Sequence, residues 1–70
     1  MFNDNFCKRL QKARNMSDLT QETVAKTLDI KRSTLAGYET GVAQPSLETL
    51  GKLAKLYDVS LDWLILKAIA

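Results

Sequence analysis

The chain has no histidine, a single cysteine (Cys7), a single proline (Pro45) and three glycines. Each scarcity closes off some chemistry. With no histidine and one thiol, one copy can build neither a Cys/His metal site nor an internal disulfide. Ser/His and Cys/His nucleophilic catalysis are excluded for the same reason. No cofactor is implied, and the chain does not read as an enzyme. Cys7 itself reads as a small helix residue, with nothing around it to activate a thiol. Long hydrophobic runs are missing too. The apolar final ten residues carry Asp62 and Lys67 and are too short to cross a bilayer. No leader pattern opens the sequence, so the expected location is cytoplasmic, with no membrane partner. No stretch alternates apolar and polar residues as a half-buried strand does, and there is no internal repeat.

What the sequence does contain is helical spacing from end to end. Seventy residues make one domain, 1–70, that buries only about 60% of its unfolded surface and leaves no room for a deep cavity. Five short helices are expected. The first covers 5–15, with Phe6, Leu10 and Ala13 as its inner stripe. The second covers 21–28 behind a Thr20 cap, with Val24, Ala25 and Leu28 inward. The third covers 32–40 and ends at Gly41, with Leu35 and Tyr38 inward; Tyr38 reads as core, not as a base-stacking ring. The fourth follows Pro45 and the Ser46 cap, with Leu47, Leu50, Leu53, Ala54 and Tyr57 inward. The fifth follows a Ser60 cap.

The helix starts agree with one another. An apolar residue just before a cap can staple to another five positions on, and Leu19 with Val24, Ile30 with Leu35 and Val59 with Leu64 all fit. The helix ends are less usual. Asp18, Asp29 and Asp58 stand where the chain must turn left-handed and where glycine is the natural residue.

Charge is unevenly spread. Residues 1–34 hold seven lysines and arginines against four carboxylates, whereas residues 35–70 hold three against four. A basic first half suits an anionic partner, although a merely solvated face has the same appearance.

The short link from Asp29 to Lys31 forces a steep crossing of the second and third helices. Ala25 is small where they meet, and Ile30 and Leu35 fill the angle. The outer face of the third helix is then Lys31, Arg32, Ser33, Ala36, Gly37 and Thr40. It lacks large apolar groups and starts basic. Such a helix fits the DNA major groove, about 12 Å wide.

On these residues the chain resembles the phage repressor and Cro type of helix-turn-helix domain, the XRE family. The likeness runs from about Arg14 to Ile65. It rests on Leu19-Thr20-Gln21, Ala25, Ile30, Leu35, Glu39 with Gly41, and Pro45-Ser46-Leu47-Glu48-Thr49-Leu50, all in register. The resemblance implies an all-α, five-helix, lambda-repressor-like DNA-binding domain whose helix-turn-helix is the second and third helices. It implies a sequence-specific regulator of transcription, a repressor occupying an operator in double-stranded DNA. A protein-interaction module of the same fold, antitoxin-like or a bridging factor, is the other reading.

The family's roles map onto single residues. Arg32 and Ser33 hold the main base-reading positions, Gly37 a third, and Lys31 reaches a phosphate or a base. Thr20, Gln21 and Thr40 hold phosphate-contact positions, with Gln21 also bracing the first residues of the third helix. Arg14 and Glu39 hold the positions of a structural ion pair. Three departures stand out. Gly37 has no side chain to read with, the loop Val42-Ala43-Gln44 lacks a basic residue, and aspartates replace the turn glycines.

The fifth helix is apolar on two sides. Leu61, Leu64, Ile65 and Ala68 share one face; Trp63, Leu66 and Ala70 share the other. The first face is expected to pack inward, leaving Trp63 and Leu66 exposed. A two-fold homodimer through this helix, with Leu56 at its edge, is expected to bind a pseudo-palindromic operator. The competing expectation is a monomer whose Trp63 folds over the core.

Overall fold

A computed structural model gives the fold. It describes residues 4–69, and side chains only for residues 5–65. The expected placements of the Leu66 and Ala68 side chains lie outside the described side chains, and Ala70 lies outside the described residues.

The chain is all-α, with no strand among the described residues. Five helices follow in order: α1 (Asp4–Met16), α2 (Gln21–Leu28), α3 (Arg32–Thr40), α4 (Leu47–Tyr57) and α5 (Leu61–Ile69). Caps set the boundaries. Thr20 and Ser46 each accept a hydrogen bond from the amide three residues on, of Thr23 and Thr49. Ser60 Oγ accepts from the Trp63 amide at 3.0 Å. Such caps satisfy amides that a helix start leaves without partners.

The helix ends follow one pattern. Asp18, Asp29 and Asp58 are left-handed, at φ 56°, 56° and 55°. In each case the amide just beyond bonds back to a carbonyl five residues earlier. Leu19 donates to Arg14 at 3.2 Å, Ile30 to Ala25 at 2.9 Å and Val59 to Ala54 at 3.0 Å. These are Schellman closures, and the apolar residue in each packs on the core. Leu19, Ile30 and Val59 thus do double duty. Each closes one helix and stands one residue before the cap of the next.

One core lies among all five helices. Phe6, Leu10, Val24, Leu35, Leu50, Leu53 and Leu64 are its largest fully buried members. Helix α5 packs mainly against α1, and α3 against both α2 and α1. No helix among the described residues is long and apolar enough to cross a membrane.

Two expected inner residues lie outside. Leu47 is 74% exposed, and Leu61 is also exposed. Each is the first residue of its helix. A helical Cβ leans toward the N-terminus, so a first-residue side chain overhangs the helix end and misses the core.

The turns generate a stability prediction. Replacing Asp18, Asp29 or Asp58 with glycine relieves the left-handed strain and should be neutral to stabilising, by up to about 1 kcal/mol. Gly51 lies inside α4, and a Cβ built there meets nothing within 4 Å. Gly51→Ala should therefore stabilise by about 0.5–1 kcal/mol. Thermal melts check both; a lowered midpoint in the Gly51→Ala variant contradicts the second.

Candidate nucleic-acid interface

The site is built from the α2–α3 pair outward. The Asp29-Ile30-Lys31 link reverses the chain, and Ala25, almost fully buried, leaves room for α3 to approach. Leu35, Tyr38 and Glu39 are the buried side of α3. Lys31, Arg32, Ser33 and Thr40 are exposed on the other side, with Ala36 and Gly37 half-buried. Neither Lys31 nor Arg32 has an ion-pair partner among the described residues. Lys26 and Lys52 contrast with them, each lying near a glutamate one turn earlier, Glu22 at 3.5 Å and Glu48 at 3.7 Å.

Glu39 is the only buried charged residue among those described, at 2% exposure. Arg14 grips it with two donors, Nε to Oε2 at 2.7 Å and Nη2 to Oε1 at 3.1 Å. The third guanidinium nitrogen, Nη1, donates to the Leu19 carbonyl at 3.0 Å. Gln21 Nε2 donates to Glu39 Oε1 at 3.1 Å. From α1, Gln11 Nε2 donates to the Glu39 carbonyl at 2.8 Å. The hydrogen bond to Glu39 holds the Arg14 pKa above its ordinary value. One arginine and two glutamines thereby fix the end of α3 against α1, the first turn and the start of α2.

Beside this network is a shallow depression of about 410 Å³ lined by Arg14, Thr20, Gln21, Glu22 and Arg32. The start of α2 opens into it. First-turn amides and a nearby guanidinium suit a phosphate group, with Glu22 as an opposing charge.

Several candidate residues are engaged within the fold. Gln21 braces Glu39, at the end of α3, and not the first residues of that helix. Its amide reaches across because α2 starts beside Glu39. Gly37 faces the following loop: a Cβ there would stand 3.4 Å from the Ala43 Cβ. The Thr40 hydroxyl donates back to the Ala36 carbonyl at 3.0 Å. The Thr20 hydroxyl donates to Thr23 Oγ1 at 3.0 Å while capping α2. A hydroxyl has one donor and a phosphate only accepts, so Thr40 must release Ala36 to serve a phosphate, whereas Thr20 need only accept from the Thr23 hydroxyl in place of donating to it.

On α5, Trp63 is half-buried against the core and not laid bare. Arg9 of α1 also covers it, with its guanidinium 4.6 Å from the indole centroid. A cation over an indole face contributes about 0.5–1 kcal/mol at such a site. Leu56 is also half-buried on the core, and Leu66 lies outside the described side chains.

Two features escape a reading of sequence spacing. Val42, in the α3–α4 loop, is 85% exposed, the largest value among the exposed large hydrophobic residues. A β-branched residue directly after the helix-ending Gly41 was the available signal. Tyr57 is buried, and its hydroxyl has no hydrogen-bond partner among the described residues. Burial, and then the Glu39 charge, push its pKa well up.

Comparison with known proteins agrees with this geometry. The model of the helix-turn-helix family matches residues 10–64. The HTH-type transcriptional regulator ImmR of Bacillus subtilis is 42% identical over 58 residues, covering 83% of this chain and 46% of ImmR. The cryptic phage CTXphi transcriptional repressor RstR of Vibrio cholerae is 38% identical over 60 residues, covering 86% of this chain and 54% of RstR. The HTH-type transcriptional activator BcrR of Enterococcus faecalis is 33% identical over 60 residues, covering 86% of this chain and 29% of BcrR. The chain spans about half the length of the first two relatives.

The network yields two predictions. Arg14→Ala leaves a buried carboxylate without its main partner and should cost about 3–5 kcal/mol. Lys12→Ala, at an exposed position of the same helix, should cost far less; equal thermal shifts for the two variants contradict the role given to the pair. Tyr57→Phe removes an unpaired buried hydroxyl and should be neutral to stabilising at pH 7. The sign with pH follows from the raised pKa. Below the ordinary value of 10.0 the group favours neither state. Above it the unfolded chain ionises first, so stability falls with rising pH. Melts across pH 8–11 should show that fall reduced in Tyr57→Phe, and an unchanged alkaline slope refutes the assignment.

Proposed function

The chain belongs to the helix-turn-helix family, and from that premise we propose that it is a sequence-specific regulator of transcription, a repressor that occupies an operator by laying α3 in the major groove of double-stranded DNA. The observation that carries the reading is the contrast between the two sides of α3. The inner side is fixed by the Glu39 network, and the outer side presents Lys31, Arg32 and Ser33 exposed.

In this reading Arg32 and Ser33 read base edges, Arg32 in the manner of a bidentate donor to guanine O6 and N7. Lys31 reaches a neighbouring phosphate or base. Gln21, Thr20 and Thr40 meet phosphates, with the α2 amides behind them. Gly37 contributes an approach without a side chain. Repression, as against activation, is supported by the likeness to the repressor RstR, which is higher in identity than that to the activator BcrR.

The second part of the proposal is a two-fold homodimer through α5, using Trp63, Leu66 and Leu56. Helix α5 is the most apolar of the helices. The dimer would hold two copies of α3 about 34 Å apart on a pseudo-palindrome.

Selection of bound sites from a random duplex pool tests the first part. Arg32→Ala should flatten base preference at one position per half-site and weaken binding there by about 1–3 kcal/mol. Gln21→Ala should weaken all sites alike. An unchanged consensus for Arg32→Ala removes its reading role, and failure to select any site favours the protein-binding module. Sedimentation tests the second part. Wild type should dimerise at micromolar concentration and Trp63→Glu should not; a wild type that remains monomeric, or a dimer indifferent to Trp63→Glu, rules this interface out.

A further inference from the structure

We propose that Glu22 is a brake on DNA binding, a carboxylate that lowers phosphate affinity beside Arg32 and is itself moderated by Lys26. The inference rests on the DNA-binding reading above and adds a residue that works against it.

The depression at the start of α2 is lined by Arg14, Thr20, Gln21, Glu22 and Arg32. Most of these groups are already engaged inside the fold. Arg14 bonds through its three guanidinium nitrogens to Glu39 and the Leu19 carbonyl, and the Glu39 carboxylate balances its charge. Gln21 Nε2 donates to Glu39, and the Thr20 hydroxyl donates to Thr23. Two charges of the lining are left. Arg32 is exposed and has no ion-pair partner among the described residues. Glu22 is exposed as well, its side chain 69% accessible. The sign of the depression is therefore decided between one cation and one anion.

Glu22 does not close on Arg32. Its carboxylate stands 3.5 Å from Lys26 Nζ, one turn further along α2. Both side chains are exposed, so this pair is weak and breaks easily. Lys26 nonetheless shares the charge of the carboxylate, and Arg32 stays available to an outside anion. A phosphate entering the depression meets Arg32 and the α2 amides, and it meets the Glu22 carboxylate too. Like charges near contact repel by an amount that water reduces but does not remove. A first-turn acid also favours the helix dipole, which is a purely structural use of Glu22. That use is read in melting, whereas the brake is read in DNA affinity.

The test is duplex binding by Glu22→Gln and Glu22→Ala across a salt series, on a selected duplex and on a scrambled one of equal length. Both variants should bind both duplexes about three- to fivefold more tightly at low salt, the worth of one like-charge pair near contact in water. The gain should shrink as salt rises, with the slope of log K against log salt steeper by up to about 0.9. The selected consensus should not change, because a phosphate contact carries no sequence information. Lys26→Gln should weaken binding in wild type and weaken it less in the Glu22→Gln background. Binding that is unchanged or weaker in either Glu22 variant, measured where melting curves show it folded, overturns the brake. A gain on the selected duplex alone overturns it too, since that marks a base contact. An equal loss for Lys26→Gln in both backgrounds shows Lys26 meeting DNA itself and overturns the part given to it. A wild type that binds neither duplex overturns the DNA-binding reading, an outcome distinct from these.

Discussion

The carboxylate of Glu39 is a charge in the interior of a very small protein. A buried charge is tolerated only when it is paired and its remaining lone pairs are satisfied. Arg14 and Gln21 supply three donors to it, and Gln11 secures the main chain beside it. The consequence is positional. The end of α3 cannot shift against α1 or α2 without stranding that charge. The same arginine holds the Leu19 carbonyl, so the α1–α2 turn is part of the constraint. A helix proposed to read a groove must hold its orientation, and here the holding is done on the side opposite the exposed Lys31, Arg32 and Ser33.

A second economy supports the first. Three of the four connections use an aspartate in the left-handed conformation followed by an apolar residue that closes one helix and precedes the cap of the next. Links this short leave few alternative crossings of the helices they join. The third connection, α3 to α4, differs. It turns on Gly41, folds Ala43 back onto Gly37 and buries Pro45 ahead of the Ser46 cap. It is also where the structure leaves a large apolar side chain in water.

Much of this was legible in the sequence because its causes are local. Thr20, Gly41 and Ser46 mark helix limits through bonds that span three or four residues. The aspartates announce their conformation by standing where glycine belongs. What was not legible depends on partners far along the chain. Nothing near Trp63 reveals that Arg9 will cover it from α1. Spacing assigned Leu47 and Leu61 to inner faces, but spacing takes no account of a first residue that overhangs its helix. The inner place of Tyr57 was readable from spacing, whereas the lack of a partner for its hydroxyl depends on packing. At the site, Gln21 and Arg14 were recognisable by their positions, yet the bond from Gln21 to the end of α3 depends on how closely the start of α2 approaches Glu39.

The central claim is that the fixed α3 presents its outer face to a major groove. Methylation interference on a selected duplex tests it in one experiment, because dimethyl sulfate marks guanine N7 in the major groove and adenine N3 in the minor groove. The account predicts that methylation of a guanine N7 in each half-site blocks binding, while adenine N3 methylation within the half-sites does not. Interference confined to adenine N3, or none at guanine N7 on a site that contains guanine, would contradict it.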